Sequence, residues 1–252
     1  MLMVKIIGIS GKKQAGKNTV ANYMHGKVLK SEGMVRDFFV NKKGELVIET
    51  SNSIGETGHG IFDINRTDSD FISYAELELW PYIKLYSFAD GLKKLCIDFF
   101  NLKPEQVYGT DDQKNTLTKM RWEDMPHNPE GVSGNMSARE FMQYFGTDIM
   151  RSMYLNVHVD NTIKRIKSEK TKLAIIADIR FPNEVKSIQD NGGYVIRLTR
   201  DRYHDAHDSE CGLDQDRFDW NNFDAIIDNS DGMQDSMLEQ LENYSIYIWF
   251  RG

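Results

Sequence analysis

The sequence contains little cysteine and no long apolar run. Only two cysteines occur in 252 residues, and Cys96 and Cys211 lie far apart and outside any ligand motif. We therefore expect two reduced thiols and no zinc site. No stretch of about 18 apolar residues could form a transmembrane helix, and the N-terminal apolar run lacks the layout of an export signal. These absences favour a protein of the cytoplasm.

An excess of positive charge is also missing. The chain has 31 basic and 38 acidic residues, which gives a formal net charge of −7. That balance argues against broad nonspecific binding to nucleic acid, so any basic residues that bind phosphate must be concentrated locally. With 40% apolar residues, the chain is long enough for one α/β domain with insertions, and we predict a single domain over 1–252.

The most informative segment of the sequence lies close to the N-terminus. The apolar run Val4–Ile9 is followed by Gly11, four residues, Gly16 and Lys17, which is the Walker A spacing of strand, glycine-rich loop and helix. Glycines let the loop curl so that its N–H groups face a polyphosphate, and the helix adds its positive end. Lys17 is predicted to be a cation for the β- and γ-phosphates. One residue departs from the pattern, since Asn18 stands where serine or threonine usually binds magnesium.

Apolar runs that alternate with helical patterns predict an α/β fold with a five-stranded parallel sheet. The predicted core strands are Val4–Ile9, Ile83–Phe88, Leu173–Ile179, Tyr194–Leu198 and Ala225–Ile227. The predicted helices are Lys17–Ser31, Gly91–Asn101, Ala138–Tyr154, Val159–Ser168, Asn183–Asn191 and Gln234–Asn243.

Three segments interrupt this alternation. An insertion at about 36–81 contains a predicted β-hairpin, 37–40 with 45–49, followed by a polar glycine-rich loop at 51–60. The irregular segment 108–134 is predicted either to cover the substrate or to be a plain surface loop. The charged segment 200–219 is predicted to be a lid.

Charged residues follow the predicted core strands, at the edge where open α/β sheets bind ligands. Asp178 and Arg180 end the third strand, where Asp178 could hold magnesium through water or bind a substrate; a structural Asp–Arg ion pair is the alternative. Arg200 and Arg202 follow the fourth strand as candidate cations for the γ-phosphate, with simple surface charge as the alternative.

Two further groups of residues could contact a second substrate. Phe88 and Lys93, after the second strand, are candidates for a base and a phosphate. Arg139, Gln143 and Gly146 share one face of a predicted helix, and Arg151 lies about one turn from Thr147. A guanidinium can clamp a phosphate and an amide can read a base edge, whereas a solvated helix surface is the alternative.

Four ordered blocks together resemble the bacteriophage deoxynucleoside monophosphate kinases: GISGKKQAGKNT, SFADGLK, REFMQYFGTDIMR and IIADIRFPNEV. A fifth, weaker block is HDSECGL, followed by FDAIIDNSDG. The resemblance implies an adenylate-kinase-like, three-layer α/β/α P-loop fold. It also implies transfer of the γ-phosphate of ATP, with Mg²⁺, to a deoxynucleoside monophosphate. The P-loop is common to many families, but REFMQYFGTD combined with DIRFPNE is much more specific.

The resemblance completes the candidate site. Lys17, Arg180 and Arg200 are the predicted catalytic residues, and Thr19 and Asp178 the predicted metal ligands, mostly through water. The predicted ATP-binding residues are Gly11, Lys12, Lys13, Gln14, Ala15, Gly16, Lys17, Asn18, Thr19, Arg200 and Arg202. The predicted acceptor-binding residues are Phe88, Lys93, Arg121, Arg139, Gln143, Gly146, Thr147, Arg151, His158, Asp178, Arg180 and Glu184. His158 stands where relatives often carry a tryptophan, so the stacking partner of the base is not fixed by the resemblance.

Two alternative functions stay open at the level of sequence. One is another P-loop small-molecule kinase, such as a coenzyme-precursor kinase, and the other is a nucleotide-binding module without transfer activity. The arginines that follow the P-loop favour a kinase. We expect small-molecule nucleotides as partners, without nucleic acid or membrane, and include a homodimer among the expected assemblies. For a viral protein, the expected compartment is the host cytoplasm.

Overall fold

A computed structural model of the chain describes residues 4–51, 54–128, 130–201 and 211–250, with the backbone alone at 245–250. The chain divides into two compact units. The first unit comprises residues 1–87 and 164–252, and the second comprises residues 88–163. None of the described helices is long and apolar enough to cross a membrane.

The first unit is built on a five-stranded parallel sheet with the strand order β10-β9-β1-β8-β5. The five strands are β1 (Lys5–Ser10), β5 (Ile83–Tyr86), β8 (Leu173–Ile179), β9 (Tyr194–Leu198) and β10 (Ala225–Ile227). All five core strands predicted from the sequence are therefore confirmed, with ends that differ by at most two residues. The central strand is β1, and its carboxyl end begins the glycine-rich loop.

Helices cover both faces of this sheet, which is why its strands are continuous apolar runs. Ile7 and Ile9 point to one face and join a buried cluster with α1 (Lys17–Ser31) and α9 (Gln234–Phe250). Gly8 points to the other face, where a Cβ built on it would lie 2.8 Å from Cδ1 of Ile188 in α8 (Pro182–Asp190). The arrangement is a three-layer α/β/α core.

The insertion forms a three-stranded antiparallel sheet in the first unit. Its strands are β2 (Phe38–Val40), β3 (Leu46–Ser51) and β4 (Thr57–Ile61), in the order β2-β3-β4. The predicted hairpin is confirmed, but the expectation of a loop over 51–60 is wrong for residues 57–60, and residues 52–53 lie outside the described ones. Residues 57–60 belong to β4 and pair with the free edge of β3, whose unpaired N–H and C=O groups they satisfy. The helix α2 (Ser69–Tyr74) follows and passes into a π-helical turn, Ala75–Leu79.

The second unit combines short helices with a two-stranded antiparallel sheet. Its elements are α3 (Asp90–Asp98), α4 (Pro104–Tyr108), α5 (Asp111–Lys114), β6 (Leu117–Arg121), β7 (Asn135–Ser137), α6 (Ala138–Gln143) and the start of α7 (Val157–Glu169). The segment 108–134, predicted to be irregular, thus contributes a helix and a strand. The helix predicted over 138–154 is confirmed, but it changes type, because α6 passes directly into a π-helix, Tyr144–Arg151.

Candidate active site

The glycine-rich loop and the helix after it form as the motif predicts. Gly16 has φ 98° and ψ 12°, a left-handed conformation that glycine adopts without steric cost, and it precedes the first residue of α1. Gln14 also has a positive φ, 59°. The N–H of Ala15 donates to the carbonyl oxygen of Lys12 across 3.1 Å, which closes the turn. The backbone therefore curls above the positive end of a helix.

The ammonium group of Lys17 lies on the loop that it follows. Its Nζ donates to the carbonyl oxygen of Gly11 at 2.7 Å and to that of Lys12 at 2.6 Å. The side chain is half-buried. A positive charge is thus held at the mouth of the loop, where a polyphosphate would replace the carbonyl partners.

Lys12 is held by a carboxylate that the sequence analysis did not select. Its buried Nζ lies 2.6 and 2.7 Å from the two carboxylate oxygens of Asp214. Arg197 Nη2 lies 4.0 Å from the same carboxylate. Burial lowers the pKa of the Arg197 guanidinium, and the Asp214 charge acts in the opposite direction. Nothing in the charged segment around Asp214 distinguished it from its neighbours before the fold was known.

The carboxyl ends of β1, β8 and β9 are aligned in register. Ser10 pairs with Ile179 in β8 and with Arg197 in β9. Arg197 Nη1 donates to the hydroxyl of Ser10 at 3.0 Å, and that hydroxyl lies 3.4 Å from the carbonyl oxygen of Ile179. The loop therefore starts beside the ends of the two strands that carry the predicted residues Asp178 and Arg200.

Asp178 and Arg180 lie at the end of β8, and each has a defined setting. The hydroxyl of Ser87 donates to Asp178 Oδ2 at 2.5 Å, so the carboxylate is oriented from the end of β5. Arg180 is exposed, while Glu184 is buried and accepts hydrogen bonds from the backbone N–H groups of Arg180 and Phe181. Ser87 was quoted in the SFADGLK block but was not selected as a site residue.

Arg200 begins the segment predicted to be a lid. Its backbone N–H donates to Asn229 Oδ1 at 2.9 Å, and Asn229 Nδ2 donates to the carbonyl oxygen of Ala15 at 2.7 Å. Within the part of the chain that the structure describes, Arg200 Nε is buried and has no hydrogen-bond partner. Arg202, the second arginine predicted here, lies outside the described residues. Asn229 was not predicted as a site residue, although it lies in the stretch FDAIIDNSDG that follows the weakest block of the resemblance.

The first turn of α1 contacts the β2–β3 turn of the insertion. Asn22 Nδ2 donates to the carbonyl oxygen of Gly44 at 2.7 Å. Gly44 has φ +81°, and a Cβ built on it would collide with Oγ1 of Thr19. The Thr19 hydroxyl, a predicted metal ligand, thus lies against this turn, whereas Asn18 is exposed.

In the second unit, Arg139 ties α6 to α5. Its Nη2 lies 2.5 Å from Asp111 Oδ1, and its Nε donates to Asn115 Oδ1 at 3.0 Å. The side chain is partly exposed, with 30% of its surface accessible. Two of its nitrogens therefore already position the predicted substrate loop, and a phosphate clamp would have to use the remaining nitrogen or replace these partners.

The π-helix carries Gly146, Thr147 and Arg151. Gly146 is buried, and a Cβ built on it would lie 2.5 Å from Leu92 Cδ2. His158 is also buried, with Nε2 3.0 Å from the carbonyl oxygen of Gly146. Thr147, Arg151 and, at the end of α6, Gln143 are half-buried. His158, predicted as an acceptor-binding residue, therefore contacts the backbone of the π-helix, a structure that is frequent at functional sites.

The other acceptor-binding candidates of the second unit have different settings. Phe88 is only 2% exposed and occupies a core position. Lys93 Nζ lies 5.0 Å from the centroid of the Tyr108 ring, a cation–π contact. Arg121 is exposed and forms an ion pair with Glu123 at 3.0 Å. This pairing raises the pKa of Arg121 and lowers that of Glu123 to about 2.

Comparison with known proteins identifies the family. The family model described as deoxynucleotide monophosphate kinase matches residues 5–242, nearly the whole chain. The chain belongs to the deoxynucleotide monophosphate kinase family. A protein of Acanthamoeba polyphaga mimivirus, named "Putative deoxynucleotide monophosphate kinase", is 34% identical over 142 residues, which cover 50% of this chain and 67% of the viral protein.

Membership of this kinase family confirms the resemblance drawn from the four sequence blocks. The chain is a deoxynucleotide monophosphate kinase, a phosphotransferase with a P-loop kinase fold. The two alternatives, a kinase for another small molecule and a binding module without transfer activity, are not favoured.

Proposed function

We propose that the enzyme transfers the γ-phosphate of ATP, with Mg²⁺, to a deoxynucleoside monophosphate and so forms the diphosphate. The single observation that carries this proposal is the convergence of phosphate donors in the first unit. The left-handed glycine loop and the Lys17 ammonium follow strand β1. Arg200, whose Nε is buried and without a hydrogen-bond partner among the described residues, follows the neighbouring strand β9. Such donors stabilise the charge that spreads over a phosphoryl group in transfer.

For ATP, we assign Gly11–Thr19 to the phosphates and Lys17 and Arg200 to the transferred group. Arg202 is assigned by its sequence position alone. When bound, Mg²⁺ would neutralise part of the charge of the phosphates. Asp178 suits such an ion through water, because Ser87 already orients one of its oxygens. Thr19 is a weaker candidate ligand, since its hydroxyl lies against the Gly44 turn.

Acceptor-binding residues are proposed separately within each unit, and in the first unit they are Arg180 and Asp178. Arg180 is exposed at the end of β8 and can pair with a phosphate. In the second unit, Arg139 is the proposed phosphate ligand, and Gln143 can read a base edge. In this assignment Glu184 acts through the backbone of Arg180, because its carboxylate accepts a hydrogen bond from the N–H of Arg180 just before α8.

The reaction needs no nucleophile from the protein. An oxygen of the acceptor phosphate attacks the γ-phosphorus, and the bond to the bridging oxygen of ADP breaks, so that the electron pair leaves with ADP. The protein contributes position and positive charge, and the segments 108–134 and 200–219 are proposed to exclude water. Lys17 and the arginines stabilise the transferred group throughout.

Substitution of one arginine from each set tests these roles. We expect Arg200→Ala to lower kcat by roughly 100-fold or more and to raise the KM for ATP. Arg139→Ala should raise the acceptor KM by roughly tenfold while the KM for ATP changes little. Arg66→Ala is the matched control, because Arg66 is an exposed arginine paired with Asp68 in the insertion.

A second variant separates binding from structure at Arg139. Asp111→Asn weakens the ion pair that joins Arg139 to α5 but leaves the guanidinium in place. If Arg139 binds the acceptor, Asp111→Asn should retain most of the acceptor affinity. An equal loss in both variants would show that Arg139 acts only by holding the 108–134 segment.

The cellular setting follows from the substrates. We propose that the enzyme works in the cytoplasm on free nucleotides, without nucleic acid or membrane as partners. A homodimer is the proposed assembly, and its mass in solution by light scattering, against the 29.1 kDa of one chain, tests it.

A further inference from the structure

Asn229 makes three side-chain contacts although it was not among the predicted site residues. It is 2% exposed and lies two residues after the end of β10, directly before the turn at 230–231. Its Nδ2 donates to the carbonyl oxygen of Ala15 at 2.7 Å and lies 3.4 Å from Met237 Sδ, while its Oδ1 accepts from the N–H of Arg200 at 2.9 Å. One amide thus joins the glycine-rich loop, α9 and the end of β9.

The contact with Ala15 fixes the orientation of the next N–H group. The carbonyl of Ala15 and the N–H of Gly16 belong to one planar trans peptide, in which they point in opposite directions. Because the carbonyl is held on Asn229, the N–H of Gly16 is aimed away from Asn229. Without the hydrogen bond to Asn229, the Ala15–Gly16 peptide could rotate. The N–H of Gly16 would then point in a different direction.

The surroundings of Gly16 are closely packed. A Cβ built on Gly16 would lie 3.2 Å from Met237 Sδ and 3.6 Å from Asn229 Nδ2, and the residue has φ +98°. Asn229 and the buried Met237 therefore form a packed floor beneath this peptide. The floor supports the loop at the point where α1 begins.

The contact with Arg200 fixes a second phosphate-binding element. The backbone N–H of Arg200 donates to the side-chain amide of Asn229, which fixes the position of the Arg200 main chain and so the starting point of its side chain. The backbone N–H of Asn229 in turn donates to Thr199 Oγ1 at 3.1 Å, and the carbonyl oxygen of Asn229 accepts from the N–H of Gly232 at 3.0 Å. Asn229 itself is thus held from both sides of its main chain.

We propose that Asn229 is a positioning residue for phosphate binding, which sets the Ala15–Gly16 peptide and the Arg200 backbone in one arrangement. This inference rests on the proposed function, since it assumes that the loop and Arg200 bind the phosphates of ATP. Asn229 does not contact the reacting atoms in this assignment; it acts through the two elements that it joins.

The test replaces the hydrogen-bond donor of the Asn229 side chain, Nδ2, and keeps its hydrogen-bond acceptor, Oδ1. Asn229→Asp retains an oxygen for the N–H of Arg200 but turns an oxygen toward the carbonyl of Ala15, which repels it. Thr199→Val is the matched control, because it removes hydrogen bonds of the same turn and leaves the side-chain contacts of Asn229 intact. The measurements are the dissociation constants of ATP and ADP by calorimetry, the melting temperature, and the KM values for ATP and acceptor.

We expect Asn229→Asp to weaken ATP binding by roughly tenfold or more, and Thr199→Val to change it by less than about twofold. The KM for ATP should rise in the Asn229 variant, while the acceptor KM stays close to that of the wild type. If Asn229→Asp does not fold, Asn229→Ser, which is too short to reach both partners, is measured in the same way.

Two results would contradict the inference, and they differ. A folded Asn229 variant that binds ATP as tightly as the wild type would overturn the role of Asn229 and leave the proposed function standing. A wild-type protein that binds no ATP would overturn the proposed function and, with it, this inference.

Discussion

Glu184 Oε2 lies 2.7 Å from the backbone nitrogen of Arg180 and 3.1 Å from that of Phe181. The side chain is only 1% exposed, and its carboxylate accepts from the N–H groups of the two residues that directly precede α8. It therefore caps a helix and orients the main chain that presents Arg180. This places Glu184 behind the candidate acceptor ligand, whereas the sequence assigned it to the acceptor itself.

The cap and the charge of Glu184 can be separated with two variants. Glu184→Gln keeps a side-chain oxygen for the two N–H groups, so we expect most of the stability and of the acceptor affinity to remain. Glu184→Ala leaves those groups without a partner and should lower the free energy of unfolding by about 1–2 kcal/mol. Urea unfolding and the acceptor KM measure both effects. A loss of acceptor binding in Glu184→Gln alone, with stability unchanged, would show that the charge itself binds the substrate.

Lys17 should be needed for turnover but not for folding. Lys17→Ala removes the ammonium that lies on the carbonyls of Gly11 and Lys12, and we expect kcat to fall by roughly 100-fold or more. Circular dichroism should show an unchanged fold. Lys27→Ala is the control, since Lys27 lies on the same helix but pairs with Glu242. A near-normal rate in Lys17→Ala would contradict the role of the glycine-rich loop in phosphate binding.

The turn at Gly44 should tolerate no Cβ, because the side chain of Thr19 lies against it. Gly33 offers a matched control, with φ +72° and nothing within 4 Å of a Cβ built on it. We expect Gly33→Ala to cost about 1 kcal/mol of backbone strain in urea unfolding. Gly44→Ala carries the same strain at φ +81° and adds a collision, so it should cost roughly 2–3 kcal/mol.

A second substitution checks the cause of the Gly44 effect. Thr19→Ala in the Gly44→Ala background removes the colliding hydroxyl and should restore the cost to that of Gly33→Ala. If the double variant is no more stable than Gly44→Ala, the contact between the insertion and α1 is not what limits this turn.

His25 should make stability depend on pH in the acidic range. It is buried in α1, and burial lowers its pKa from 6.5 to about 4, while its Nδ1 lies 2.8 Å from the carbonyl oxygen of Ala21. The folded state keeps the neutral ring, so the unfolded state binds more protons below pH 6.5. The contribution of His25 to stability is therefore complete above pH 6.5 and is lost as the pH falls toward 4, by roughly 3 kcal/mol in all.

Comparison of two histidine variants isolates this contribution. His25→Leu should flatten the fall in the free energy of unfolding between pH 6.5 and 4. His59→Gln, at an exposed position on β4, should keep the slope of the wild type. Equal slopes in the wild type and His25→Leu would mean that His25 does not titrate as its burial requires.

Much of the first unit was predictable because its signals are local. Core strands buried on both faces must be continuous apolar runs, and Leu173–Ile179 was found to the residue. The helix α1 was also found to the residue, since the loop glycines mark its start. In contrast, β4 has no apolar pattern of its own and exists because it pairs with β3. The π-helix depends on the packing of Gly146 against Leu92 and on its contact with His158.

The candidate site shows the same division. The motif residues Gly16 and Lys17 are adjacent in sequence, so their spacing was enough to find them. Asn229 lies 214 residues from Ala15, and no sequence pattern in either segment predicts the hydrogen bond between them. Asp214 is likewise 202 residues from Lys12. Such partners are set by the order of the strands, which brings distant ends to one edge.

The most direct test of the central claim is ADP formation from ATP and Mg²⁺ with each of the four deoxynucleoside monophosphates and, in parallel, the four ribonucleoside monophosphates. The account predicts ADP only with particular deoxynucleoside monophosphates, together with an equal amount of the matching diphosphate. Formation of ADP at one rate regardless of the acceptor, or none with any deoxynucleoside monophosphate, would contradict it.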